Sequence, residues 1–302
     1  MKYIYLFTAV FLTLLTSCSE DINLTVAKGD SKIVIEGNIE NGKFAEVIVT
    51  RNSALTDTVN FDNILVKDAK VYITDGLTTD TLKRDTLLTT AIPFLYTGNH
   101  ILGQVGQSYN LTVVADGKTY TATTTIPGLV KLDSVWWKVQ PPKTDLGYAW
   151  AHISEPAGMG NAYKWFAKRP TQYSFLNGQP IILNRRFVSP NGGTFDDKFI
   201  DGKSFDFSYD RGYDATEANY PSVKNEPKEE KGYYKITDTI YIKFCTIDNA
   251  ASQFFSTYDQ AVQSNGNPFA APVHILSNIQ GDGGLGVWAG YGATYDTIMP
   301  AP

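Results

Sequence analysis

Short segments in which hydrophobic and polar residues alternate, separated by turn signals, make up most of the sequence beyond residue 30. In each segment every second side chain is apolar, which is the pattern of a strand with one buried face. The pattern occurs at residues 33–35, 46–50, 70–74, 109–113 and 120–126. No helical periodicity separates these segments, so we expect strands that pair with one another.

Asp116-Gly117 lies between the last two of these segments and is typical of a two-residue hairpin turn. The spacing predicts a mainly β protein whose N-terminal domain, over 31–128, is an Ig-like or prealbumin-like antiparallel β-sandwich. Ile126-Pro127-Gly128 ends this block, because proline cannot donate to a strand ladder. A second β-rich domain is therefore predicted over 129–302.

The second domain is predicted to contain a long loop over 170–231, which is rich in turn signals, and one amphipathic helix over 249–264. Asp248 is predicted to cap the N-terminus of this helix, and Asn265-Gly266 to end it. The stripe could dock a partner or a ligand, but packing against the protein's own sheet is the more common role of such a stripe. Its apolar positions are Ala251, Phe254, Phe255, Tyr258 and Val262.

The N-terminus has the layout of a secretory signal peptide over 1–17, with Lys2 before a short apolar run. This run is shorter than a membrane-spanning helix requires. Leu15-Thr16-Ser17-Cys18 resembles the lipobox of bacterial lipoproteins, in which the cysteine thiol is acylated, for example by palmitate. We therefore expect lipid attachment at Cys18, followed by a tether over 18–30; an ordinary signal peptide with an incidental cysteine is the alternative.

Ser19, Glu20 and Asp21 follow the predicted attachment site and resemble the acidic signal that sends lipoproteins to the outer face of the outer membrane. This resemblance implies a lipid-anchored protein that faces the cell surface. A solvated tether is the alternative reading of the same charges.

The chain contains only one other cysteine, Cys245, so no intramolecular disulfide is expected if Cys18 carries lipid. Strand alternation places Cys245 on the face opposite Ile240, Ile242 and Phe244. No pattern of cysteine and histidine accompanies it, so a packed, unreactive thiol is expected.

The overall charge argues against nucleic acid as a partner. The chain has 26 Lys and Arg against 31 Asp and Glu, a formal net charge of -5. Phosphate neutralisation requires a dense basic surface, which this composition does not provide.

The order of several landmarks resembles a known family. The sequences VKDAKVYITDG at 66–76, GQSYNLTV at 106–113 and GKTYTATT at 117–124 resemble a carboxypeptidase-regulatory-like sandwich. Together with the lipobox, they resemble the Bacteroidota outer-membrane lipoproteins grouped as domain-of-unknown-function family 4249. The further landmarks are FDDKFIDG at 195–202, FFSTY at 254–258, NPF at 267–269 and GLGVWAGY at 284–291.

The resemblance implies a role rather than a chemistry. Members of that family are typically encoded beside TonB-dependent receptors, which implies an accessory or binding role in nutrient uptake. The resemblance supplies no catalytic or ligand-binding residues.

No catalytic pattern is recognisable in the sequence. His100, His152 and His274 are far apart, and no zinc-ligand spacing or nucleophile elbow is present. The glycines at 281–286 spell a dinucleotide motif but lack its strand-and-helix context. We therefore expect a protein that is not an enzyme and needs no cofactor.

Calcium is the one metal for which the sequence offers candidate ligands. Five acidic residues lie within a short stretch and could supply hard oxygen ligands, although their spacing does not follow the EF-hand pattern. A solvated acidic loop is the alternative. These residues are Asp196, Asp197, Asp201, Asp206 and Asp210.

Aromatic residues are the best candidates for contacts with a ligand or partner, since the chain contains eighteen Tyr and five Trp. Trp136 and Trp137 are adjacent, so in a strand they point to opposite faces, and one of them requires a second layer, a domain interface or a ligand. Tyr209, Tyr213 and Tyr220 are the candidates in the predicted loop. A peptide or a glycan would suit such rings.

These observations predict an outer-membrane lipoprotein that acts as an accessory or binding component of a TonB-dependent uptake system. A structural or assembly partner without a small ligand is the alternative. A surface hydrolase has the least support in the sequence.

Overall fold

The computed structural model describes residues 31–53, 64–84, 95–169, 173–176, 179–182, 186–213, 227–264, 267 and 269–300. Within this part the protein is mainly β, with one α-helix, as the alternating pattern predicts. No helix in these ranges is long and apolar enough to cross a membrane.

The described residues of the first half form seven strands, whose inward residues are those that the alternation predicts. In β6, for example, Tyr109, Leu111 and Val113 are buried while their neighbours are not. The strands are β1 (Ile33–Glu40), β2 (Phe44–Arg51), β3 (Lys70–Thr74), β4 (Thr79–Arg84), β5 (Tyr96–Leu102), β6 (Ser108–Ala115) and β7 (Lys118–Thr125).

The described residues of the second half contain ten strands and the helix. Four of the strands lie within the segment predicted as a loop; they are only three to six residues long, too short for a clear period to appear in the sequence. The elements are β8 (Ser134–Val139), β9 (Leu146–Ser154), β10 (Ala162–Lys168), β11 (Tyr173–Leu176), β12 (Gln179–Ile182), β13 (Thr194–Asp196), β14 (Ser204–Tyr209), β15 (Tyr234–Lys235), β16 (Ile240–Ile247), α1 (Asn249–Ser264) and β17 (Leu285–Ile298).

One sheet of eleven strands runs through both halves of the chain, in the order β13-β10-β16-β17-β1-β2-β5-β4-β3-β6-β7. The long strand β17 joins them. Its first half pairs with β1 in parallel, from Leu285 to Tyr291, and its second half pairs with β16 antiparallel, from Tyr291 to Ile298. The parallel pair departs from the predicted antiparallel arrangement, and the sheet crosses the predicted division at residue 128. A contact between residues about 250 positions apart leaves no local pattern from which to predict it.

A second sheet has β9 at its centre, with β8 on one side and β14 and β15 on the other. It packs against β10, β16 and β17 through a core that includes Trp165, Tyr234 and Phe244. The N-terminal strands enclose a separate core, to which β17 contributes Trp288.

Helix α1 packs on the face of the large sheet opposite the face that the second sheet covers. Asp248 caps its first turn, since its Oδ1 accepts the Ala251 N–H at 2.8 Å. Ala251 and Phe254 pack on the sheet beside Ala289 and Tyr291. The cap and the packing of the first part of the stripe follow the sequence prediction.

Cys245 lies in the core beneath α1, on the face of β16 opposite Ile240, Ile242 and Phe244. Burial raises the pKa of its thiol to about 12. The thiol is therefore packed and protonated, as expected.

Candidate functional site

Trp136 and Trp137 of β8 point to opposite faces of the second sheet. Trp137 faces the core, and its Nε1 donates a hydrogen bond to the carbonyl oxygen of Tyr234 at 3.1 Å. Trp136 faces outward, where its ring stacks on that of Trp150 in β9, with centroids 6.1 Å apart and planes at 24°. Trp137 thus fills the interface between the two layers, and Trp136 belongs to an outer surface.

The outer surface follows from alternation along β9. Gly147, Ala149, Ala151 and Ile153 are buried on the inner face. The intervening residues, Tyr148, Trp150 and His152, are half-buried on the outer face. A strand with one buried face ordinarily has its large apolar residues on the inner face and polar residues on the outer face. Over 147–151 β9 has small residues on the inner face and aromatic rings on the outer face, which makes this outer face unusual.

A second ring pair extends the surface. Tyr148 stacks on Tyr233 with centroids 5.2 Å apart and nearly parallel planes. The ammonium group of Lys138 lies 4.8 Å from the ring centroid of Trp150. We call the outward-facing Trp136, Tyr148, Trp150 and Tyr233 the aromatic surface.

Two polar groups belong to the aromatic surface, the hydroxyl of Tyr148 and the indole N–H of Trp150. Burial raises the pKa of Tyr148 to about 12, with further contributions from the Tyr233 hydroxyl and the Asp210 carboxylate, so Tyr148 remains a neutral hydroxyl at physiological pH. The Nε1–H group of Trp150 is buried and has no hydrogen-bond partner among the described residues.

A polar row borders the rings. Ser134 and Asp206 lie opposite His152 on the two neighbouring strands, and His152 Nδ1 is 2.6 Å from Asp206 Oδ1. These are the residue types of a hydrolytic triad, but no hydrogen bond joins Ser134 to His152, both of which are described. A serine nucleophile needs that bond to its base, so the row does not form a triad.

The structure brings only two of the five predicted calcium ligands together. Asp197 and Asp201 converge with Glu155, and one oxygen of each lies within 4.8 Å of the others. Asp206 instead contacts His152, Asp210 lies near Tyr148, and Asp196 accepts the Lys198 N–H at 3.3 Å. Glu155 follows β9 directly and lies 42 residues before Asp197, so spacing in the sequence could not reveal it.

Hydrogen-bond donors surround the three carboxylates. Glu155 accepts bonds from the Tyr163 hydroxyl at 3.0 Å, the Asn161 amide group at 2.9 Å and the Gly202 N–H at 2.6 Å. Asp197 accepts the Asn161 N–H at 2.7 Å. These bonds tie the turn after β13 to the connection between β9 and β10. Calcium at this cluster stays a prediction.

Of the tyrosines predicted in the loop, Tyr209 lies in the core and not beside Trp136. Tyr209 ends β14 on its inner face, where its ring lies 5.5 Å from that of Trp165, and burial raises its pKa. It is therefore a core contact. Tyr213 is 66% exposed. Tyr220 and the predicted lipid-attachment residue Cys18 lie outside the described residues.

Trp136 was predicted from the sequence as a contact residue, but its neighbours Tyr148, Trp150 and Tyr233 were not. The alternation of small residues with rings over 147–152 was a usable signal, because it already separates an inner from an outer face. The pairing of β8 with β9, which assembles the surface, was not available from the sequence.

Comparison with known proteins identifies one family. The model of the family described as Domain of unknown function (DUF4249) matches residues 19–296, which is most of the chain. No curated protein and no solved structure matches the chain significantly.

Proposed function

The chain belongs to the family described as Domain of unknown function (DUF4249), and we propose that it is an outer-membrane lipoprotein of the Bacteroidota type, anchored through Cys18. In this role it faces the cell surface and binds cargo for a TonB-dependent receptor in nutrient uptake, without catalysing a reaction. The observation that carries the binding role is the aromatic surface, because outward-facing tryptophan and tyrosine rings are suited to recognition.

The direction of the strands suits an anchored binding protein. β1 begins at Ile33, next to the predicted tether, and β17 runs parallel to β1 and then continues into the second half of the protein. Its 14 residues span about 45 Å at 3.3 Å per residue. The second sheet packs against the far half of β17, so the aromatic surface lies away from the strand end that follows the tether.

The proposed anchor requires no spanning helix. Buried acyl chains contribute about 0.8 kcal/mol per methylene, and two or more chains on one cysteine give stable membrane attachment. The short tether after Cys18 would then leave the folded part free to reach a neighbouring receptor.

The test is a pull-down of the tagged protein from its own outer membrane in mild detergent. Wild type is compared with Cys18→Ala, which removes the acylation site, and with Trp136→Ala, which truncates the aromatic surface. We expect wild type to fractionate with the outer membrane and to recover a TonB-dependent receptor. Cys18→Ala should leave the membrane fraction. Recovery of a soluble, unacylated wild-type protein would contradict the proposed anchor.

An assembly role without a small ligand is a second candidate, favoured by the outer side of α1. Tyr258 and Val262 continue the helix stripe beyond the packed residues and are 47% and 39% exposed. If this role is correct, Tyr258→Glu should abolish recovery of the receptor while Trp136→Ala leaves it unchanged. The proposed cargo-binding role predicts that Tyr258→Glu has no effect on cargo binding.

A further inference from the structure

The aromatic surface lies at the centre of a sheet rather than at its edge, and the geometry points to a neutral oligosaccharide as its ligand. This inference rests on the proposed binding function. β9 is paired with β8 on one side and with β14 and β15 on the other. The main-chain polar groups of β9 are therefore hydrogen-bonded to these neighbouring strands. An extended peptide that adds to a sheet requires a free strand edge, which the middle of this face does not offer.

The rings provide two adjacent contact areas. The Trp136–Trp150 pair and the Tyr148–Tyr233 pair occupy successive rows, two residues apart along β9. Two residues of a strand advance by about 7 Å, which separates the pairs by roughly the size of a sugar ring. Each of the four rings is half-buried rather than buried, and the apolar C–H face of a pyranose packs on an aromatic face. Consecutive sugar units of one chain therefore fit consecutive rows.

Polar groups on the same face can bind the hydroxyl groups of such a chain. His152 contacts one oxygen of the Asp206 carboxylate, and a carboxylate has a second oxygen that can accept hydrogen bonds. Ser134 and Ser208 lie on the same outer face, opposite His152 and Trp150 respectively. A few fixed polar groups around an apolar contact area are typical of small-ligand sites.

The charges on this face favour a neutral ligand. Lys138 and Asp206 carry opposite charges and lie on either side of β9. A polyanion would meet the Asp206 carboxylate, and the chain as a whole carries a net charge of -5. An uncharged chain rich in hydroxyl groups is repelled neither by the Asp206 carboxylate nor by the net charge of the protein.

The test uses the mature, lipidated protein in a detergent without a sugar headgroup. The probes are neutral hexasaccharides of β-1,4-glucose, β-1,4-mannose, β-1,4-xylose and α-1,4-glucose, with polygalacturonate and an unstructured peptide mixture as charged and peptidic competitors. Binding is followed by tryptophan fluorescence and titration calorimetry. Trp136→Ala is compared with Trp136→Phe, which keeps a ring, and with Phe199→Ala, which removes an exposed ring elsewhere; Phe199 is 77% exposed.

At least one neutral hexasaccharide should bind saturably. Trp136→Ala should weaken its binding about tenfold or more, the equivalent of about 1.4 kcal/mol, while Trp136→Phe keeps most of the affinity and Phe199→Ala keeps all of it. The inference is overturned if the folded wild type binds no hexasaccharide, if Trp136→Ala binds as well as wild type, or if polygalacturonate or peptide binds this surface in preference to the sugars.

The same variants separate failure of the ligand class from failure of the proposed function. Receptor recovery without sugar binding would overturn the oligosaccharide ligand and leave the uptake role standing. Sugar binding that depends on Trp136, without receptor recovery from an acylated protein, would support the ligand class and overturn the uptake role.

Discussion

Trp288, in the last strand of the protein, donates its indole N–H to the backbone carbonyl of Tyr109 at 3.0 Å inside the core of the N-terminal strands. The Asn278 side chain bonds to both backbone polar groups of Trp288. Its Oδ1 accepts the Trp288 N–H at 2.9 Å, and its Nδ2 donates to the Trp288 carbonyl oxygen at 2.8 Å. The core of the N-terminal strands is therefore completed by a residue of β17. The two halves share their stability because one strand belongs to both.

Trp288→Ala should destabilise the whole protein. Removal of a fully buried tryptophan leaves a cavity and costs about 3–5 kcal/mol, and the Tyr109 carbonyl also loses its donor. Urea unfolding followed by circular dichroism measures the change in the free energy of unfolding. Phe269→Ala is the control, since Phe269 is 96% exposed. A loss below about 1 kcal/mol for Trp288→Ala would contradict the packing role.

Asp80→Asn should weaken the packing of the N-terminal strands in a way that depends on pH. Burial opposes ionisation of Asp80, but backbone N–H groups of His100, Ile101 and Asn99 and the His100 side chain together lower its pKa. A lowered folded-state pKa contributes stability that is present above the unfolded value of about 3.9 and is lost as the pH falls through the folded value.

The expected loss from Asp80→Asn at pH 7 is about 2–3 kcal/mol, the magnitude of hydrogen bonds to a charged group. The difference between variant and wild type should shrink as the pH falls below about 4. Urea unfolding at pH 7 and at pH 3 provides the comparison, with Asp68→Asn as a control at an exposed position. An equal loss at both pH values would show that the Asp80 charge contributes nothing.

Cys245 should resist thiol reagents until the protein unfolds. A pKa of about 12 reduces the thiolate fraction about a thousandfold relative to an ordinary thiol of pKa near 9, and the helix covers the side chain. Labelling of the Cys18→Ala variant with a maleimide at pH 8 should be negligible in buffer and complete in denaturant. Rapid labelling of the folded protein would contradict the packing beneath α1.

Glu155→Ala should destabilise the turn region between β9, β10 and β13. Its three donors, from Tyr163, Asn161 and Gly202, would lose their acceptor, at a cost of about 1–3 kcal/mol for each buried donor left unsatisfied. Glu229→Ala, at an exposed position, serves as the control in thermal unfolding.

Glu155→Ala also tests the calcium prediction. A rise in the wild-type unfolding temperature with added calcium, absent in Glu155→Ala, would establish a cation site at this cluster. A Glu155→Ala variant as stable as wild type without calcium would contradict the hydrogen-bonding role.

Local patterns in the sequence were sufficient to predict much of the fold. The Asp116-Gly117 turn has positive φ at both residues, as a two-residue hairpin requires. The helix occupies Asn249–Ser264 and is capped by Asp248, and Cys245 lies on the predicted face. Each of these features depends on residues within a few positions of one another, so periodicity and turn chemistry determine them.

The contacts that join distant parts of the chain could not be predicted in this way. β17 pairs with β1, Trp150 stacks on Trp136, and Glu155 meets Asp197. Gly37 has no local reason to be glycine, but a Cβ atom there would lie 2.9 Å from the Trp288 ring. Alternation states only that a strand has an apolar face. Which faces are buried together depends on the packing of the whole chain, because the free energy of burial is non-directional and does not specify a partner.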